Sequence, residues 1–132
     1  MFNAIVFDLD GTLTDSKNAI LECFNHALRE HGFPEASAEE YVPLIGVPLE
    51  EQAPLFVPKE KHGLIPSVCR AHRERMLTHG MKMITVYPGV EETLSRLPQK
   101  LGIATSKGSE NAIPVLEHVE PKKYFPVVKC DD

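Results

Sequence analysis

The stretch Ile5-Val6-Phe7-Asp8-Leu9-Asp10-Gly11-Thr12-Leu13-Thr14-Asp15-Ser16 decides how this chain is read. The short apolar, partly β-branched run from Phe2 to Phe7 predicts a strand buried on both faces, as in parallel sheets. Asp8 then emerges at the carboxyl end of that strand, where open α/β sheets bind ligands. An exposed carboxylate there can attack phosphorus and form an aspartyl-phosphate. Asp10, two residues on, falls on the same face of an extended strand. It can protonate a leaving oxygen and later deprotonate water. Gly11 lets the backbone turn closely around a phosphate, and the Thr12 hydroxyl can orient Asp10. Carboxylate and phosphate repel one another, so the pair calls for a magnesium ion with oxygen ligands. The chemistry implied is phosphoryl transfer.

Working outward, Asp15 or Ser16 is placed to cap a helix whose inward face is Ile20, Phe24, Ala27 and Leu28, stopped by Gly32. Ser37-Ala-Glu-Glu40 is a capping box for a second helix ending near Gly46. Pro48 opens a short third helix. A longer one runs from about Ile65 to His79, closed by Gly80, with Val68, Met76 and Leu77 inward. Tyr87-Pro88-Gly89-Val90 turns into a helix reaching Leu97. Leu101-Gly102-Ile103-Ala104 is a second strand, ending at Thr105-Ser106-Lys107. Asn111 is expected to cap the next helix, with Pro114 in its first turn, and Tyr124 to Val128 gives a third strand. Strands alternating with helices predict an α/β fold with a parallel sheet and right-handed crossovers. The helical block is too long for a crossover and reads as an inserted cap. The expected division is 1–16 and 81–132 as a Rossmann-like core, with 17–80 as the cap.

Bulk properties narrow the partners. The 132 residues carry a net charge of −5 without a basic stripe, which disfavours binding to a nucleic-acid backbone. No apolar run approaches the ~18 residues of a membrane span, and the N-terminus lacks the basic region of a signal peptide. Cys23, Cys69 and Cys130 are widely spaced and read as reduced cytoplasmic thiols. The six histidines show no zinc spacing.

The string Phe7 to Ser16 resembles the first motif of the haloacid dehalogenase superfamily. Ile45-Gly46-Val47-Pro48-Leu49, Tyr87-Pro88-Gly89-Val90 and Leu101 to Lys107 are similar to the cap loop, core return and second motif of its phosphoglycolate phosphatase-like and β-phosphoglucomutase-like members. The resemblance implies that Asp8 is nucleophile and magnesium ligand. It implies that Asp10 is acid/base and binds magnesium through its carbonyl oxygen. It also implies that Thr105 and the amides of Leu9, Asp10 and Ser106 hold the phosphate. Lys107 either reaches the phosphate or is a solvated turn residue. Arg70, Arg73 and Arg75 read as a solvated helix face, with contact to a substrate carboxylate as the alternative.

The superfamily's third motif, a lysine commonly followed by proline, and its fourth, an acidic pair, have no match here. Lys122 and Lys123 precede the third strand, and Asp131 and Asp132 follow no fourth strand. The resemblance therefore implies a C-terminally incomplete chain. The expected function is magnesium-dependent hydrolysis of a small phosphorylated metabolite, impaired by truncation. A sugar-phosphate mutase is the enzymatic alternative. An inactive remnant or fragment-docking partner, associating through an open edge of the first strand, is the non-enzymatic one.

Overall fold

A computed structural model describes residues 2–119 and 123–131. The chain opens with β1 (Ala4–Phe7) and β2 (Thr14–Asp15). Helices α1 (Lys17–Glu30), α2 (Ala38–Tyr41), α3 (Leu49–Gln52) and α4 (Ile65–Thr78) follow, linked partly by 3-10 turns. The chain returns through β3 (Thr85–Val86), α5 (Val90–Arg96), β4 (Lys100–Ala104), α6 (Ser109–His118) and β5 (Val127–Lys129). β1, β4 and β5 form a parallel sheet in the order β1-β4-β5, and β2 pairs antiparallel with β3. This is the Rossmann-like α/β architecture expected. The two-residue ribbon β2–β3 left no sequence signal, because two residues carry no periodicity.

The sheet departs from expectation in one respect. Val6, Gly102 and Val127 share one register row and hence one face. Val6 is 66% and Val127 65% exposed. The opposite row of Phe7, Ile103 and Val128 packs inward, with the Phe7 ring edge-on to Phe125. Continuous apolarity in β1 predicts burial on both faces. Among the described residues only one face is covered, and β1 pairs with β4 alone.

The helical segment has its own apolar packing. Ile20, Phe24, Ala27 and Leu28 are buried on α1, which lies against α4. Gly32 takes a positive φ of 76° and ends α1 as expected. The Ser37–Glu40 capping box forms in full, although α2 gives way to a 3-10 turn at Val42. Val68 and Met76 are buried on α4, but Leu77 is 39% exposed, one position off the buried stripe. Gly80 is not a left-handed cap; the chain continues there as a 3-10 turn. Its role is close approach. A Cβ at Gly80 would lie 2.7 Å from both Cys23 Sγ and Met76 Sδ. Gly80→Ala should therefore cost about 1–3 kcal/mol by overpacking, read as a lower urea midpoint; an unchanged midpoint would contradict this packing.

In α6 the N-cap is Gly108, not Asn111. Asn111 lies inside the first turn, buried, and its amide donates to the Arg73 carbonyl on α4 (3.2 Å). Pro114 consequently sits beyond the first turn, inside the helix.

Candidate active site

The loop after β1 is built around one carbonyl. Leu9 O accepts from the amides of Thr12, Leu13 and Thr14 and from the Thr14 hydroxyl. Gly11, at φ 79°, lets this turn close, and its amide donates to Thr14 O. Asp8 is exposed at the strand end, and its Oδ1 accepts from the Leu9 amide (2.8 Å). That amide points where an oxygen carried by Asp8 would lie.

Asp10 is held from two sides. The Ser16 hydroxyl donates to Oδ1 (2.7 Å), and Lys107 Nζ lies 3.4 Å from Oδ2. The two charged side chains are only 11% and 10% exposed, so the pair is shielded from water and salt more than a surface pair. Lys107 is thus neither solvated nor a bare turn residue. Its amide also donates to Thr105 Oγ1 (3.1 Å). The orienting hydroxyl belongs to Ser16, not Thr12, which is exposed. Ser16 occupies the N-cap position of α1 without a side-chain cap bond, because its hydroxyl serves Asp10 instead.

A cleft opens beside Asp10 between the helical segment and the loop after β4, with a cavity of about 50 Å³. Asp10, Gln52, His72, Arg73, Lys107 and Asn111 contribute to its walls. Gln52 is buried and satisfied. It accepts from the Tyr41 hydroxyl and donates to Leu44 O and Val47 O, pinning the loop around Gly46. Arg73 bridges Glu50 on α3 (2.5 Å) and Glu110 on α6 (3.2 Å). Arg75 pairs with Glu22 on α1 and holds that carboxyl below its usual range. These two arginines are tied to neighbouring elements, against the expectation of a solvated face; Arg70 is exposed as expected.

A family model described as haloacid dehalogenase-like hydrolase matches residues 5–132. The chain belongs to that family. It is 28% identical over 134 residues to a phosphoglycolate phosphatase of Agrobacterium fabrum, covering 96% of this chain and 58% of that protein. It is 30% identical over 127 residues to the tyrosine-protein kinase PtkA of Mycobacterium tuberculosis, covering 94% of this chain and 43% of that protein. A haloacid dehalogenase-like family hydrolase from Streptococcus pneumoniae superposes with a TM-score of 0.88 at 26% identity, over 98% of this chain and 61% of that one. The chain therefore spans roughly two-fifths to three-fifths of the relatives it matches.

Within this haloacid dehalogenase-like chain, Asp10, Ser106 and Lys107 reach the cleft, while Asp8, Leu9 and Thr105 stand at the strand ends outside its wall. Lys123 pairs with Glu91 on α5, and the Asp131 amide donates to Lys107 O. Lys122 and Asp132 lie outside the described residues. Among those described, no group of three or more His, Cys, Asp or Glu side chains converges as a metal cage.

Sequence reading missed Ser16 as a partner of Asp10, took Asn111 for a helix cap, and gave no role to His72 or Gln52. His72 is 6% exposed, and burial, reinforced by Lys107 and Arg73, pushes its pKa down from 6.5 to about 3. Between those values the unfolded chain binds a proton that the folded chain refuses. The stability tied to His72 is therefore complete above pH 6.5 and falls as pH drops toward 3, at up to about 1.4 kcal/mol per pH unit. Urea midpoints across that range should lose this slope in His72→Phe; equal slopes in the two proteins would contradict the assignment.

Proposed function

We propose that the chain carries the phosphatase chemistry of its family: magnesium-dependent hydrolysis of a small phosphomonoester through an aspartyl-phosphate on Asp8. The observation that carries this reading is the meeting of two strand ends. β1 delivers Asp8 and the gripped Asp10, and its parallel neighbour β4 delivers Thr105 and Lys107 to the same edge. The phosphatase relative supports it. In the first half-reaction an Asp8 carboxylate oxygen bonds to phosphorus as the ester P–O bond breaks, and Asp10 gives its proton to the departing oxygen. In the second, water bonds to phosphorus, Asp10 takes its proton, and the Asp8–phosphorus bond breaks. The Leu9 amide and the Lys107 ammonium meet the phosphate oxygens.

The donors at hand suit magnesium. The Asp8 carboxylate and the Asp10 carbonyl oxygen are hard ligands, and this ion characteristically uses one or two carboxylates, water and the substrate phosphate. When bound it supplies the charge that lets an anionic nucleophile approach an anionic ester. We read 17–80 as the cap and 1–16 with 81–132 as the core. The cap–core contacts of Arg73 with Glu110 and Asn111 support that division. Cytoplasmic location belongs to the same reading, which the buried thiols Cys23 and Cys69, neither of them in a disulfide, support.

The test is phosphate release from small esters by the 132-residue chain, with and without magnesium, alongside a sugar phosphate primed by catalytic sugar bisphosphate. Magnesium-dependent release supports the phosphatase, whereas primed isomerisation without net release would favour the mutase alternative.

The bare sheet face motivates a second reading, self-association through β1. Val6 and Val127 form an exposed apolar row beside a strand edge unpaired among the described residues, a template for a second chain. Light scattering should then show concentration-dependent assembly that Val6→Lys weakens; a monomer at all concentrations would end this reading.

A further inference from the structure

The tail of β5 meets the loop that carries Lys107. β4 and β5 pair in register as far as Ala104 and Lys129. The Thr105 amide continues that ladder by donating to Lys129 O (3.0 Å). The next rung of a regular parallel ladder would carry the Asp131 amide to Thr105 O and the Lys107 amide to Asp131 O. Instead, the Asp131 amide donates to Lys107 O (3.2 Å), two residues further along, and the Lys107 amide donates to Thr105 Oγ1 (3.1 Å). The chain turns out of the ladder at 105–107, and the tail keeps its hold beyond that turn.

Lys107 is thereby engaged at each of its polar atoms. Its N–H meets the Thr105 hydroxyl, its C=O accepts from Asp131, and its ammonium lies 3.4 Å from Asp10 Oδ2. A lysine ammonium sits on a long flexible stem, and holding it at one point loses rotamer freedom. Fixing the backbone at the root of that stem narrows where the ammonium can go. The two main-chain contacts differ in kind. Thr105 belongs to the same loop and moves with it, whereas Asp131 belongs to the segment after another strand and ties the loop to the sheet. The Asp131 side chain is exposed, and its backbone makes this contact.

We propose that Asp131 is a positioning residue for the phosphoryl-transfer site: its main-chain amide, through Lys107 O, holds the Lys107 ammonium where it grips Asp10 and meets the phosphate. The assignment rests on the phosphatase reading above. It adds the end of a third parallel strand, β5, to the two strand ends that build the site. Asp131 acts through Lys107 rather than on the substrate.

Cys130 offers a ligation junction for the test. Residues 1–129 as a thioester, joined to a synthetic Cys130-Asp131-Asp132 peptide, give the full chain with either the natural amide or an ester at Asp131. The ester replaces the N–H by oxygen and keeps the carboxylate. The two chains are compared well below their thermal midpoints. In the ester chain, binding of inorganic phosphate in magnesium buffer, read by calorimetry, should weaken roughly 3- to 10-fold, the value of one hydrogen bond. The Lys107 amide should exchange with solvent faster by a similar factor. Asp131→Pro removes the same N–H and should weaken phosphate binding likewise. A merely structural amide would lower the thermal midpoint and leave phosphate affinity and Lys107 exchange as in the all-amide chain, and that result overturns the proposal. Faster Lys107 exchange with unchanged phosphate affinity also overturns it, since the hold on the loop would then not reach the site. Absence of phosphate binding by the all-amide chain overturns the phosphatase reading, and the Asp131 assignment with it. Should the ester chain fail to fold, Asp131→Pro decides on the same two measurements.

Discussion

Asp8→Asn is expected to reduce magnesium-dependent phosphate release by about 10⁵-fold, to the background of the assay, as loss of a covalent nucleophile does elsewhere. The amide is nearly the shape of the carboxylate and can still accept the Leu9 hydrogen bond, so the fold should be untouched. Asp10→Asn should differ in kind. It keeps the nucleophile but removes the proton shuttle, and the expected loss is about 10²–10⁴-fold. Because Asp10 is also the anionic partner of Lys107, this variant should show a change in stability that Asp8→Asn does not. Parallel measurement of turnover and urea midpoint for the two variants separates the roles. Equal turnover in Asp8→Asn and the native chain would remove Asp8 from the chemistry.

The second large effect is on folding. Phe24 is fully buried on α1, and its ring meets Tyr41 at 4.5 Å, Phe56 at 5.2 Å and His72 at 6.3 Å between centroids. It connects α1, the α2–α3 region and α4, and it backs the wall of the cleft. Phe24→Ala should cost about 3–5 kcal/mol, a large share of the roughly 5–15 kcal/mol that holds a domain together. The expected result is a strongly lowered urea midpoint or a chain without cooperative unfolding by circular dichroism. Leu55→Ala, at a side chain 66% exposed, should change little. Comparable losses at the two positions would mean that the helical segment lacks the core described.

What the sequence disclosed was local. Asp8, Asp10 and Gly11 lie within one turn of chain, so strand, turn and chemistry could be read together. The Ser37–Glu40 box and the Gly32 stop were legible for the same reason. The missed features span longer separations. Ser16 looked like a helix cap because its bond to Asp10 depends on how the Gly11 loop folds back. Lys107 could not be placed until the parallel pairing of β1 with β4 brought it beside Asp10. His72 gave no signal, since a single histidine on a helix carries no spacing, and its lowered pKa comes first from burial and then from Lys107 and Arg73. The bare row of Val6 and Val127 was hidden by its own apolarity, which reads as burial whether or not a neighbour covers it.

The central claim is that Asp8 accepts a phosphoryl group. Incubation of the chain with acetyl phosphate and magnesium, followed by borohydride reduction and peptide mass spectrometry, tests it without requiring turnover. The reduced acyl phosphate should be found at Asp8, and be absent from Asp8→Asn. Its appearance at another carboxylate, or no modification at Asp8, would contradict the account.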